Sequence, residues 1–154
     1  MKKFVLLLVL AISFSSCEDE VSFSNPSVQG EKDNVLWRAA DFNATATATS
    51  LTIYAYTPYE VLTLTTSSTA PGTYTLGEND TNTATYYVEI DGTRSTYSTG
   101  TDLGDGEIII DDVQQLGTIS GKFKFNAPPE TDPLGLAVNY QYGVFYRVPL
   151  TTTP

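Results

Sequence analysis

The sequence predicts an all-β domain, an antiparallel β-sandwich of about 8–10 strands, on three observations. Thr, Tyr, Val and Ile dominate from Val35 onward, and these residues suit a pleated surface. Apolar and polar residues alternate with period two in stretch after stretch, with no sustained helical spacing between them. Turn signals recur at roughly 8–12-residue intervals, as in antiparallel sandwiches and barrels. Connections this short favour hairpins over parallel crossovers. A lipocalin-like closed barrel is the alternative.

The elements follow in order. Ala44–Thr49, Leu51–Tyr56 and Leu62–Thr65 each alternate strictly. Ala70-Pro71-Gly72 turns the chain before Thr73–Leu76, and the polar run Gly77–Asn82 forms a longer loop. Asp91-Gly92 supplies the positive φ angles of a type I′ turn and joins Tyr86–Ile90 to Arg94–Thr99 as a hairpin. A loop over Gly100–Gly106 precedes the apolar strand Ile108–Ile110. In the next strand Ile119, Phe123 and Phe125 share one face and Lys122 and Lys124 the other. Pro128-Pro129 and Asp132-Pro133 punctuate the approach to two final strands, Leu136–Tyr142 and Val144–Val148. Trp37, at the domain's start, is expected to plug the core.

The chain opens with Met1-Lys2-Lys3, an apolar run over Phe4–Ile12, and small residues up to Cys17, the sole cysteine. This is the order of a secretory signal peptide. The apolar run is far shorter than the ~20 residues of a spanning helix. Residues 18–33 are polar, with Pro26 and Gly30 as breakers, and read as a flexible acidic tether behind Cys17. The expected organisation is a signal peptide at 1–16, a lipidated Cys and tether at 17–33, and a single β-domain at 34–154.

Phe14-Ser15-Ser16-Cys17 resembles a bacterial lipobox, with Phe14 where Leu is more usual. The resemblance implies cleavage before Cys17 and acylation of its thiol, with two or more chains holding the protein stably at a membrane. Glu18, Asp19 and Glu20 look like the export signal of surface-exposed lipoproteins in Bacteroidota-type bacteria; the bland alternative is a solvated spacer. Further resemblance lies in the order of several motifs. Asn34–Ala39 comes first, then Pro71-Gly72-Thr73-Tyr74, a Tyr-rich hairpin and Gly106–Ile110. Thr118–Phe125 and Gly143-Val144-Phe145 close the series, with Val148-Pro149 behind them. This order resembles a family of uncharacterised Bacteroidota lipoproteins with one small β-domain of unknown function, over residues 34 to 150. It implies outer-membrane, cell-surface anchoring on a Gram-negative bacterium and brings no catalytic residues.

Charge and composition restrict the function further. Residues 17–154 carry six cationic side chains against 18 acidic ones, a net charge of −12. A nucleic-acid backbone would be repelled, and nucleic acid is not an expected partner. The sequence contains no histidine, which removes histidine general-base chemistry and the usual zinc sites. A Ser–Lys dyad would have to draw on Lys32, Lys122 or Lys124. Glu89 and Asp91 form the candidate carboxylate pair of a glycosidase, set against an exposed strand residue beside a turn residue. Asp102, Asp105 and Glu107 concentrate hard oxygen ligands that calcium would accept, set against plain turn chemistry, and they lack the EF-hand spacing. Tyr54, Tyr56, Tyr86 and Tyr97 are candidate ligand-binding aromatics, set against tyrosines that fill the core or pair across strands. The expected role is a non-catalytic binding or structural module without a cofactor beyond the lipid, its partner a glycan or a protein. A carrier of a small apolar ligand and a carboxylate-dependent enzyme are the alternatives.

Overall fold

The structure is a computed structural model that describes residues 25–112 and 114–153. Its regular elements are all strands. They are β1 (Ser27–Lys32), β2 (Val35–Arg38), β3 (Asp41–Ala46), β4 (Leu51–Tyr56), β5 (Glu60–Thr66) and β6 (Gly72–Leu76). β7 (Thr83–Ile90), β8 (Thr93–Ser98), β9 (Asp105–Ile110), β10 (Thr118–Ala127) and β11 (Val138–Thr152) complete the set. Cys17 and the acidic residues Glu18, Asp19 and Glu20 lie outside the described residues.

The strands form one continuous open sheet that curls over itself into a sandwich-like arrangement. One layer holds β6, β9, β10, β11, β1 and β2; the other holds β3, β4, β5, β7 and β8. The long strand β11 belongs to both. Its first part pairs with β10 and β1, and its last residues, Leu150–Thr152, pair with Ala44–Ala46 of β3. That last pairing is parallel, the single exception to the antiparallel arrangement among the described strands. At the far side Tyr97 bridges to Pro129, and Glu130 N donates to Thr96 O at 2.9 Å, so the edge of β8 is covered.

The predicted alternation does what period two requires: it sends one set of side chains inward. Leu51, Ile53 and Ala55 of β4 face Leu62 and Leu64 of β5, and Ile108, Ile110, Phe123, Phe125 and Phe145 fill the other layer. Tyr140 is completely buried where the layers meet, with ring centroids 4.9 Å from Phe125, 5.6 Å from Trp37 and 5.8 Å from Tyr86. Trp37 is 5% exposed and plugs the core as expected. The Asp91-Gly92 turn has φ values of 50° and 76°, as a type I′ hairpin demands.

Three expectations are corrected. The domain does not begin at residue 34, because Ser27–Lys32, expected in the tether, forms β1 and buries Val28. Gly30 is no breaker: a Cβ there would stand 3.0 Å from Gly143 Cα, so two glycines let β1 and β11 approach closely. The β1–β2 turn, Asp33-Asn34, has φ values of 52° and 65°, a left-handed pair that Asp and Asn tolerate without glycine. Second, the two final strands are one. Gly143 is needed because Phe123 O and its ring carbons lie 2.5–2.6 Å from where a Cβ would stand. Third, the alternation over Ala44–Thr49 outruns its strand: Thr47 N donates to Ser50 O at 2.9 Å, turning the chain after Ala46.

β11 crosses between layers by bending. The register against β10 slips at two places, leaving Tyr142 (φ 51°) and Arg147 (φ 50°) in left-handed bulge positions. At the second, the nearly buried Ser120 hydroxyl accepts a hydrogen bond from Arg147 N at 2.9 Å.

Candidate functional site

A cleft of about 600 Å³ opens at one end of the molecule, where β1 ends, β5 begins and β7 and β8 meet their hairpin. Its floor is polar. Lys32, last residue of β1, points inward in phase with Val28 and Gly30. Glu60, first residue of β5, points inward in phase with Leu62 and Leu64. The two form an ion pair between the layers. Tyr86 OH donates to Glu60 Oε1 at 2.6 Å and accepts from Lys32 Nζ at 2.7 Å. Trp37 Nε1 and Thr57 Oγ1 donate to Glu60 Oε2 at 2.8 and 3.2 Å.

The local sequence holds Glu60 in place. Thr57 Oγ1 accepts from Glu60 N at 3.0 Å and Tyr59 N at 3.4 Å, and Thr57 N donates to Glu60 O at 2.8 Å. This tight turn leaves the carboxylate little freedom. The walls are apolar: Val88 and Ile90 of β7, the Tyr97 ring of β8, and the segment 136–138. Asp33 stands at the mouth.

Electrostatics follow from this geometry. Burial alone would raise the Glu60 pKa, but the hydrogen bonds from Lys32, Tyr86 and Trp37, together with the Lys32 charge, outweigh it and hold the carboxyl below its usual value. Burial, and then the adjacent Glu60 carboxylate, push the Tyr86 phenol well above its ordinary value. Burial likewise raises Tyr140. The floor is therefore a fixed Lys⁺–Glu⁻ pair with a neutral phenol, and both Glu60 oxygens are occupied. Such a carboxylate is ill suited to supply a proton as a general acid. Lys32 Nζ, with three protons and two partners here, retains a donor for a ligand.

The predicted aromatic set divides in two. Tyr86 and Tyr97 do meet, ring centroids 5.8 Å apart, and belong to the cleft. Tyr54 and Tyr56 lie on the opposite face of the same layer, half-buried, their nearly parallel rings 6.3 Å apart. The candidate calcium ligands are not gathered: Asp105 Oδ1 accepts from Asn126 at 2.8 Å, Glu107 pairs with Lys124 at 3.0 Å, and Asp102 takes a left-handed turn conformation. No three acidic residues group to hold a metal among the described residues. Glu89 pairs with Arg94 at 3.3 Å on the exposed hairpin, and Asp91 forms its turn.

Glu60 is absent from the candidates read from the sequence, and Lys32 enters there only as the base of a Ser–Lys dyad, without its partner. Their signal was parity, since each ion falls in step with the inward-facing residues of its strand. A charge in phase with a core marks either a strand end or a site.

Residues 24–149 match a family described as a domain of unknown function (DUF6252). The chain belongs to this family. No curated protein and no solved structure matches it. The match takes in β1, in keeping with a DUF6252 domain that starts before residue 27. It also spans Lys32, Glu60, Tyr86 and Tyr97, so the whole cleft belongs to the DUF6252 domain.

Proposed function

We propose that this DUF6252 protein is a lipid-anchored lipoprotein of the bacterial outer membrane, displayed at the cell surface, and that it acts as a non-catalytic binding module through its cleft. The observation that carries the reading is the cleft itself: apolar walls around a preset, hydrogen-bonded ion pair, in a volume that suits a small molecule. Its chemistry favours an amphipathic ligand, with an apolar body against Val88, Ile90 and Tyr97 and an acceptor group at Lys32. The Cys17 lipobox and the Glu18-Asp19-Glu20 run support the anchor and the surface address.

Orientation fits this role. The chain enters β1 at Ser27, beside Tyr146, and reaches the cleft at Lys32, beside Tyr140. A six-residue strand covers about 17 Å from first to last residue, so the cleft opens at the opposite end of β1 from the chain's entry into it.

Trp37 reports on the site, being the single tryptophan and bonded to Glu60. Titration of the protein with medium-chain fatty acids and acylated sugars should shift its emission saturably, and Glu60→Gln should weaken the response. A flat emission with every amphiphile would reject the cleft as a ligand site. Separately, a palmitate analogue should label the wild-type protein in growing cells and not Cys17→Ser. Labelling of both would reject the anchor.

A further inference from the structure

The outer face of the second layer, away from the cleft, carries an ordered pattern that neither the core nor the cleft uses. Strand register sets it out in rows. Asn43, Tyr54, Thr63, Thr85 and Ser98 lie side by side across five strands. The next row is Thr45, Thr52, Thr65 and Thr83. Adjacent strands lie about 4.8 Å apart and alternate residues about 6.7 Å apart, so the hydroxyls form a regular grid about 19 Å across. Tyr56 extends the Tyr54 ring into the row beyond. These hydroxyl-bearing residues are solvent-accessible except where neighbours shade them, and no helix among the described residues covers them.

The two rows contain no ionisable side chain apart from the Tyr54 phenol, on a chain with 18 acidic residues. Charge complementarity selects the occupant. A polyanion is repelled by the net negative charge of the chain, and the two rows hold no carboxylate for a polycation, the nearest being Asp41, opposite Tyr56 at their margin. A neutral polyol finds donors and acceptors at every grid point and aromatic rings for its C–H faces.

We infer that this face is a second site, a platform for an extended neutral polysaccharide with Tyr54 and Tyr56 as its aromatic anchors. Tyr87 is not part of it, because the Arg94 guanidinium lies 3.9 Å from its ring centroid and covers it.

Native gels cast with linear β-glucan, mannan or xylan test this on the full-length chain. At least one polymer should retard the protein. Tyr54→Ala should reduce the apparent affinity about tenfold, and Thr63→Lys, which sets a long cation amid the grid without touching the core, should abolish it. Tyr142→Ala, an exposed tyrosine of the other layer, should migrate as wild type, and unchanged thermal unfolding of each variant separates binding from folding. No retardation by any of the polymers overturns the inference. So does retardation that folded Tyr54→Ala and Thr63→Lys retain. Concentration-dependent dimerisation that Thr63→Lys removes would assign the face to a second copy of the chain instead.

Discussion

Glu60 shows what one side chain can hold together. It accepts from Lys32, Tyr86, Trp37 and Thr57, residues of both layers and of its own turn. Its folded pKa lies below the ordinary value near 4.5. Its contribution to stability is therefore complete above that value and is lost as pH falls through the lower folded pKa. The wild type should lose stability on acidification below pH 4.5, and Glu60→Gln should flatten that part of the curve, as followed by urea unfolding across pH. Glu60→Ala should cost about 2 kcal/mol at neutral pH, since a largely buried pair is lost and its donors are stranded. Tyr140 behaves oppositely. Its hydroxyl is buried and has no hydrogen-bond partner among the described residues. Tyr140→Phe should therefore raise stability by about 1 kcal/mol, within the usual cost of an unsatisfied buried hydroxyl. The variant should also resist alkaline unfolding better. Tyr140 has a raised folded pKa, so its contribution is present below the unfolded value and is withdrawn at higher pH.

At the scale of the element, glycine sets the limits of β-structure here. Gly92 is needed at φ 76° in its turn, and Gly92→Ala should cost about 1 kcal/mol in thermal unfolding. Gly143→Ala should cost more, about 2–3 kcal/mol, because the Cβ would meet Phe123 backbone and ring. The contrast explains what could be read in advance. Gly92 serves a local turn, and Asp-Gly between alternating strands announces it. Gly143 serves a neighbour distant in sequence, so it reads as a break when it is the condition for one continuous strand. Gly30 misleads in the same way. β1 offered one buried apolar side chain, Val28, too few for a visible period, so a strand looked like a tether. The cleft was half legible: Tyr86 and Tyr97 drew notice as aromatics, whereas the Lys32–Glu60 pair exists only once the curl of the sheet brings two strand ends together.

For the whole molecule, the decisive part is β11, which completes both layers. Removing residues 149–152 deletes its pairing with β3 and should replace a single cooperative calorimetric transition with a broadened, lower one. Three of its pairings reach far back along the chain: Tyr146 meets Ser27, Tyr140 meets Lys32 and Thr152 meets Ala46. These contacts are strongly non-local, which slows folding. The order of synthesis gives that topology a further meaning. Among the described strands the first is closed by the last, so a growing chain can form hairpins such as β7–β8 but cannot seal this core before β11 is made. The core therefore stays open until β11 has been made, and the cleft, whose floor needs β1 held against β11, forms only then.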